Sequence, residues 1–329
     1  MQVPTYKRLT IFSGTANREL AEDVSTHLGM RLGEVEISTF ANSETYVRFA
    51  ESVRGKDAFV IQSSCDSVDH HLMQHLIMID ALQRASAKRI TAVLPFFPYA
   101  RQDKKTRGRE PVTARLVADF YEAAGADRIL SVDLHTGQIQ GFFNVPFDHL
   151  TALPLLAGYF DDLLDEDFVV VSPDTGRVRL AEKWTQHLSE YGNKNCPVAF
   201  LQKSRRRDAR NVSQTRTVVG DVDGRMCVVV DDMIDTAGTL VNGAEALLEA
   251  GASGVYAAAT HPILSDPATD RIKNSPIQQV VVTDTLPIPA DKRLDKLVVL
   301  SIAPTIAQTI KAVFEEDSVS ELFHGENQP

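Results

Sequence analysis

The chain is poor in the features that mark specialised proteins. Cysteine occurs three times, at Cys65, Cys196 and Cys227, widely spaced and without a Cys-x-x-Cys pair. An odd, scattered set argues against both a disulfide framework and a structural zinc site, and makes a reducing cytoplasm the expected compartment. No apolar run approaches the roughly 20 residues needed to span a bilayer. The opening stretch MQVPTYKRLTIF lacks the long apolar segment of a secretion signal. Positive charge is not in excess either: 34 Lys and Arg stand against 44 Asp and Glu, a formal net charge of -10. An acidic chain repels nucleic acid and anionic membrane at long range, so neither is expected as a partner. Low-complexity stretches and short-period repeats are also missing.

What is present is length and alternation. A chain of 329 residues, 43% of them hydrophobic, has room for two domains with buried cores. Short Val- and Ile-rich runs predict strands at 9–13, 58–62, 90–95, 129–133, 169–172, 227–231, 255–260, 280–283 and 298–301. Helical patterns lie between them, at 18–28, 72–84, 111–123, 153–164, 178–191 and 238–250, with a last one at 304–314. Alternating strands and helices imply an α/β protein with a mainly parallel sheet. The endings Ala124-Gly125-Ala126 and Ala250-Gly251-Ala252 read as helix C-caps before a strand, a weak echo between two halves. The boundary is expected near 146–151, where the chain re-enters a helical pattern. That gives domains at 1–148 and 149–303, and a C-terminal piece, 304–329, that packs back on the first.

The most informative run is VVVDDMIDTAGT, residues 228–239. Its apolar strand delivers Asp231 and Asp232 to a carboxyl end, where open α/β sheets bind ligands. Asp235, Thr236, Ala237, Gly238 and Thr239 then lead into a helix. Small residues let the backbone approach a phosphate, threonine hydroxyls add donors, and the helix N-terminus adds positive potential. Carboxylates beside a phosphate make sense if they grip sugar hydroxyls or Mg²⁺. The run resembles the ribose-5-phosphate loop of the phosphoribosyltransferase fold, and alone it does not separate making phosphoribosyl diphosphate from using it.

Other constellations are cationic or histidine-bearing. Tyr99-Ala100-Arg101-Gln102-Asp103-Lys104-Lys105 follows a strand. Arg101 suits a phosphate bidentately, and Lys104 and Lys105 act as point charges. Pro111 is expected as a first helical residue. Strand alternation would put Asp133 and His135 on one face, and Asp174 follows the strand at 169–172. His70, His71 and His261 read as structural. The run 203–211, KSRRRDARN, is either a solvated loop or a lid that closes cations over a polyphosphate.

Taken together, FANSE at 40–44, YARQDKK at 99–105, DLHTGQIQGFF at 133–143, SPDTGRV at 172–178, 203–211 and 231–239 resemble the ribose-phosphate pyrophosphokinases, over nearly the whole chain. The resemblance implies two phosphoribosyltransferase-type domains, each a mainly parallel sheet flanked by helices. It implies transfer of the β,γ-diphosphate of MgATP to ribose 5-phosphate, giving 5-phosphoribosyl 1-diphosphate and AMP for nucleotide, histidine and tryptophan biosynthesis. By the same resemblance Phe40, Asn42 and Glu44 contact adenine, reaching over from a neighbouring subunit. Arg101, Gln102 and Asp103 bind ATP, and His135 and Asp174 hold Mg²⁺ with it. Asp231, Asp232, Asp235, Thr236, Ala237, Gly238 and Thr239 hold ribose 5-phosphate, and Lys203 and Arg205 stabilise the transferring group. A homohexamer follows, with phosphate and ADP as effectors at a regulatory site near Ser52, Arg54, Arg84, Ser86, Arg107, Ser318 and Ser320. Two positions depart from the pattern. Arg177 stands where a second glycine is expected, and there alters the turn or adds a phosphate contact. Ser204 stands where a cation is common. The alternatives are a phosphoribosyltransferase, which needs only one such domain, and a regulatory homologue that binds these ligands without turnover.

Overall fold

A computed structural model describes residues 8–164, 168–204 and 215–327. The chain divides into two compact units, Met1–Thr151 with Thr285–Pro287 and Ser301–Pro329, and Ala152–Asp284 with Ile288–Leu300.

The first unit begins with β1 (Leu9–Ser13) and α1 (Arg18–His27), then a separate antiparallel hairpin of β2 (Val35–Thr39) and β3 (Thr45–Phe49). It continues through β4 (Asp57–Ile61), α2 (Val68–Arg84), β5 (Arg89–Leu94), α3 (Thr113–Ala124), β6 (Arg128–Val132) and β7 (Phe147–Leu150). The sheet order is β1-β4-β5-β6-β7, parallel throughout. Helix α1 forms where Leu20 and Val24 share one buried face, and Asn17 caps it by accepting from the Leu20 N–H at 3.4 Å. All five residues of β4 are buried, as a strand covered on both faces requires.

The second unit opens with α4 (Leu153–Leu163) and runs through β8 (Val169–Ser172), α5 (Val178–Glu190), β9 (Val198–Ser204), β10 (Thr215–Val219), β11 (Met226–Ile234), α6 (Gly238–Glu249), β12 (Gly254–Pro262), α7 (Ala268–Lys273), β13 (Val280–Thr283) and β14 (Leu297–Leu300). Its order is β10-β9-β8-β11-β12-β13-β14, parallel except for the antiparallel edge strand β10. Each unit has its own apolar core: Phe12, Val60, Ile79, Ile90 and Tyr121 belong to the first, Val171, Val229, Leu247, Val255 and Val282 to the second. Burying each such side chain stabilises by roughly 1.5–3 kcal/mol. The last helices, α8 (Ala303–Glu315) and α9 (Val319–Leu322), belong to the first unit, where α8 packs on α1 and β7.

Three local expectations are corrected. Residues 147–150 form strand β7, which is not among the expected strands, because Phe147 to Leu150 give β6 a parallel partner; the helix then starts at Leu153, as expected. Pro111 lies outside α3, which starts at Thr113. Strand β6 stops at Val132, and Asp133 takes a positive φ of 34°, so period-two alternation does not reach His135. His71 and His261 have structural surroundings: His71 Nδ1 lies 2.8 Å from the Cys65 carbonyl, and His261 is buried.

Candidate active site

In the second unit the site is built by unequal strand lengths. Strand β8 pairs with β11 only from Cys227 to Val229, whereas β12 accompanies β11 as far as Ile234. The strand therefore runs past the expected end at Asp231, and its acidic pair lies beyond the ladder with β8. Asp232 is buried and Asp231 half-buried. Arg177, at the N-cap of α5, reaches both carboxylates: Nε lies 3.4 Å from Asp231 Oδ1 and Nη2 lies 2.9 Å from Asp232 Oδ1. Burial, then the adjacent Asp232 carboxylate, push the Asp231 carboxyl well above the usual range, while Arg177 pulls it down.

After Ile234 the chain turns. Ala237 holds a left-handed conformation, φ 57° and ψ 1°, directly before α6, and it has no capping side chain. A non-glycine residue there carries strain of order 1–2 kcal/mol, held by its surroundings. Arg271 is part of that support, donating from Nη1 to the Thr236 carbonyl at 2.8 Å. Thr236 and Thr239 are exposed, and with the opening N–H groups of α6 they form a surface suited to an anion. Just past the end of the neighbouring strand β8, the Asp174 carboxylate Oδ1 accepts from the Gly176 N–H at 2.9 Å. Asp174 lines an open cleft of about 370 Å³ with Thr175, Gly176, Leu201 and Gln202. Lys203 is the penultimate residue of β9; Arg205 and the rest of the run to 211 lie outside the described residues.

In the first unit Phe40, Asn42 and Glu44 occupy the turn of the β2–β3 hairpin, and all three are exposed. The turn is closed by Phe40 N–H to the Glu44 carbonyl at 2.8 Å, and the Phe40 ring stands edge-on to Tyr46 with centroids 5.7 Å apart. Arg101 and Gln102 are exposed, but Asp103 is only 4% exposed. Its Oδ2 accepts from Thr136 Oγ1 at 2.6 Å and Gln138 Nε2 at 2.7 Å. That carboxylate joins the cationic loop to the loop carrying His135, a half-buried residue after β6. Glu110 folds the next stretch by accepting from the Arg107 and Thr106 N–H groups and the Thr106 hydroxyl, each at 2.8 Å, and these bonds hold its carboxyl below the usual range.

The residues expected to be regulatory lie in loops and at helix ends of the first unit. Ser52 and Arg54 come near Ser86 through the Gly55 N–H, which donates to the Ser86 carbonyl at 2.9 Å. Arg84 pairs with Asp80 at 2.8 Å, Arg107 is exposed, and Ser318 and Ser320 are exposed around the start of α9.

Comparison with known proteins bears on this geometry directly. A family model described as the N-terminal domain of ribose phosphate pyrophosphokinase matches residues 9–125, and one described as a phosphoribosyl synthetase-associated domain matches 204–324. The ribose-phosphate pyrophosphokinase of Streptomyces avermitilis is 54% identical over 318 residues, 96% of each chain. That of Mycobacterium leprae is 54% identical over 321 residues, 97% of each chain. The chain belongs to the ribose-phosphate pyrophosphokinase family. A crystal structure of phosphoribosylpyrophosphate synthetase from Mycobacterium smegmatis agrees with a TM-score of 0.88 at 55% identity, covering 94% of this chain and 100% of that one.

Within that family frame, some contributors had no local sequence signal. Arg271 lies 35 residues from the carbonyl it holds. Thr136 and Gln138 were inside the quoted motif, but nothing in it points to Asp103. Arg177 did stand out, as a departure from the glycine pattern. Its guanidinium contacts the acidic pair, a partner that neither expectation named.

Proposed function

We propose that residues 231–239 of the second unit take ribose 5-phosphate and that Phe40, Asn42, Glu44, Arg101 and Gln102 of the first unit take ATP. The reaction is that of a ribose-phosphate pyrophosphokinase: the diphosphate of ATP passes to ribose 5-phosphate, giving 5-phosphoribosyl 1-diphosphate and AMP. The observation that carries the sugar assignment is the acidic end of β11 followed by left-handed Ala237 and the N-terminus of α6. Carboxylates there accept from ribose hydroxyls, and the helix N–H groups receive the 5-phosphate.

Residues of the chain do this work by placing charge. The C1 hydroxyl attacks the β-phosphorus in line and AMP departs, so positioning and neutralisation dominate. Arg101 holds the nucleotide phosphates, and Lys203 with Arg205 offsets charge on the transferring group. His135 and Asp174 are the proposed protein donors to Mg²⁺. One half-buried carboxylate and one half-buried imidazole would leave most positions for phosphate oxygens and water, as Mg²⁺ prefers. Among the described residues no three His, Cys, Asp or Glu side chains gather into a metal cage. When bound with ATP, Mg²⁺ neutralises phosphate charge.

Phosphate and ADP act as effectors near Ser52, Arg54 and Ser86 in this reading, and the assembly is a homohexamer, which sedimentation with and without phosphate checks. No helix of the described residues is long and apolar enough to cross a membrane, and we place the enzyme in the cytoplasm. Incubation with ATP, Mg²⁺ and ribose 5-phosphate tests the reaction: AMP should appear in equal amount with 5-phosphoribosyl 1-diphosphate. ADP would mean ordinary γ-phosphoryl transfer, and no turnover even with added phosphate would favour a regulatory homologue.

A further inference from the structure

The guanidinium of Arg177 stands where the family resemblance leads to a second glycine, and it is fixed from both ends. The Arg177 N–H donates to the Asp174 carbonyl at 3.4 Å, and its own carbonyl accepts from the Leu180 and Ala181 N–H groups at 3.0 and 3.2 Å. The side chain is only 19% exposed, and its fork divides between Asp231 Oδ1 at 3.4 Å and Asp232 Oδ1 at 2.9 Å. Asp231 Oδ1 also accepts from the Asp232 N–H at 2.9 Å. The acidic pair is therefore bound into one network.

Glycine could supply neither effect of this arginine. The fork sets the orientation of two neighbouring carboxylates, which otherwise repel each other. It also changes what they attract. Two adjacent carboxylates favour a hard divalent cation, whereas a resident guanidinium leaves a single net negative charge and repels a second cation. Neutral hydroxyls meet no such repulsion, and each carboxylate has about four acceptor positions, enough to serve arginine and a sugar together.

We propose that Arg177 is a positioning residue of the sugar subsite that presets Asp231 and Asp232 as acceptors for the vicinal hydroxyls of ribose 5-phosphate and keeps a free divalent cation off them. The inference rests on the assignment of residues 231–239 to the sugar phosphate.

The test compares wild type, Arg177→Ala, Arg177→Lys and Asp232→Asn. The Michaelis constant for ribose 5-phosphate is measured at saturating MgATP, and Mn²⁺ binding is measured by electron paramagnetic resonance without substrates. Arg177→Ala should raise that constant about tenfold while kcat stays within about threefold. It should also bind one more Mn²⁺ than wild type, an ion lost again when Asp232→Asn is added. Arg177→Lys keeps the charge without the fork, so it should still exclude Mn²⁺ but recover only part of the Michaelis constant. It carries the test if Arg177→Ala does not fold. An unchanged constant in Arg177→Ala beside a raised one in Asp232→Asn would overturn this inference alone, as would a loss confined to kcat or no additional Mn²⁺. An unchanged constant in Asp232→Asn would overturn the sugar assignment itself.

Discussion

Lys203 and His75 show how differently two single residues bear on the protein. Lys203, the penultimate residue of β9, is proposed above to act on the transferring group. Lys203→Ala should lower kcat by about two decades with a much smaller change in either Michaelis constant, as removal of a contact made in the transition state does. Steady-state kinetics with each substrate varied in turn decide it, and a loss carried by the Michaelis constants would make the residue a docking element. His75 bears on stability instead. It is fully buried, with Nε2 3.1 Å from the Val60 carbonyl and Nδ1 3.0 Å from the Tyr121 hydroxyl. The carbonyl can only accept, so Nε2 carries the proton and Nδ1 accepts from Tyr121. Burial lowers the imidazole from 6.5 to about 3. The folded value lies below the unfolded one, so the unfolded chain gains the proton first as pH falls. Stability is insensitive to this group above about pH 6.5 and falls between there and about pH 3. Between pH 7 and 5 the wild type should lose about 2 kcal/mol more than His75→Gln. Chemical denaturation at the two pH values measures it, and equal losses would refute it.

Elements act here through their ends. The notch at the acidic strand end exists because β8 is shorter than β11 and β12, and Arg177 enters it from the cap of α5. In the first unit, Asp103 ties the cationic loop to the loop after β6. Asp103→Ala should therefore raise the Michaelis constant for ATP about tenfold, with Asp103→Asn, which keeps one acceptor, in between. Equal constants in the three proteins would show that the tie does not position the nucleotide residues. The central strands were legible in the sequence because strands covered on both faces are continuous runs such as VVVS at 169–172 and VVVT at 280–283. The β2–β3 hairpin was not assigned, although Val35 and Ile37 alternate with polar residues and so do Val47 and Phe49. Half-buried five-residue strands give a weak signal beside long apolar runs. Strand ends were least legible: Asp133 leaves the β region at the end of β6, and β11 continues three residues past Asp231, because neighbouring strands set both limits.

At the scale of the whole molecule, two units each build a largely parallel sheet around a core of their own. The sequence carried that doubling in its length and in the repeated strand–helix alternation. It also carried the chemistry, because acidic, threonine-rich and cationic runs follow particular strands. It did not carry the pairing of Arg177 with Asp231 and Asp232, residues more than 50 positions apart that only the order β8-β11 makes neighbours. The C-terminal segment is similar: Asn327 Nδ2 donates to the His149 carbonyl at 2.8 Å, and His149 Nδ1 lies 2.6 Å from the Asn327 carbonyl, contacts without local signature. The central claim, diphosphate transfer to a sugar phosphate, is tested most directly by following ATP labelled at its β-phosphorus. The label should leave the nucleotide and appear in the sugar product, with unlabelled AMP beside it; label retained in ADP, with a single phosphate gained by the sugar, would contradict the account.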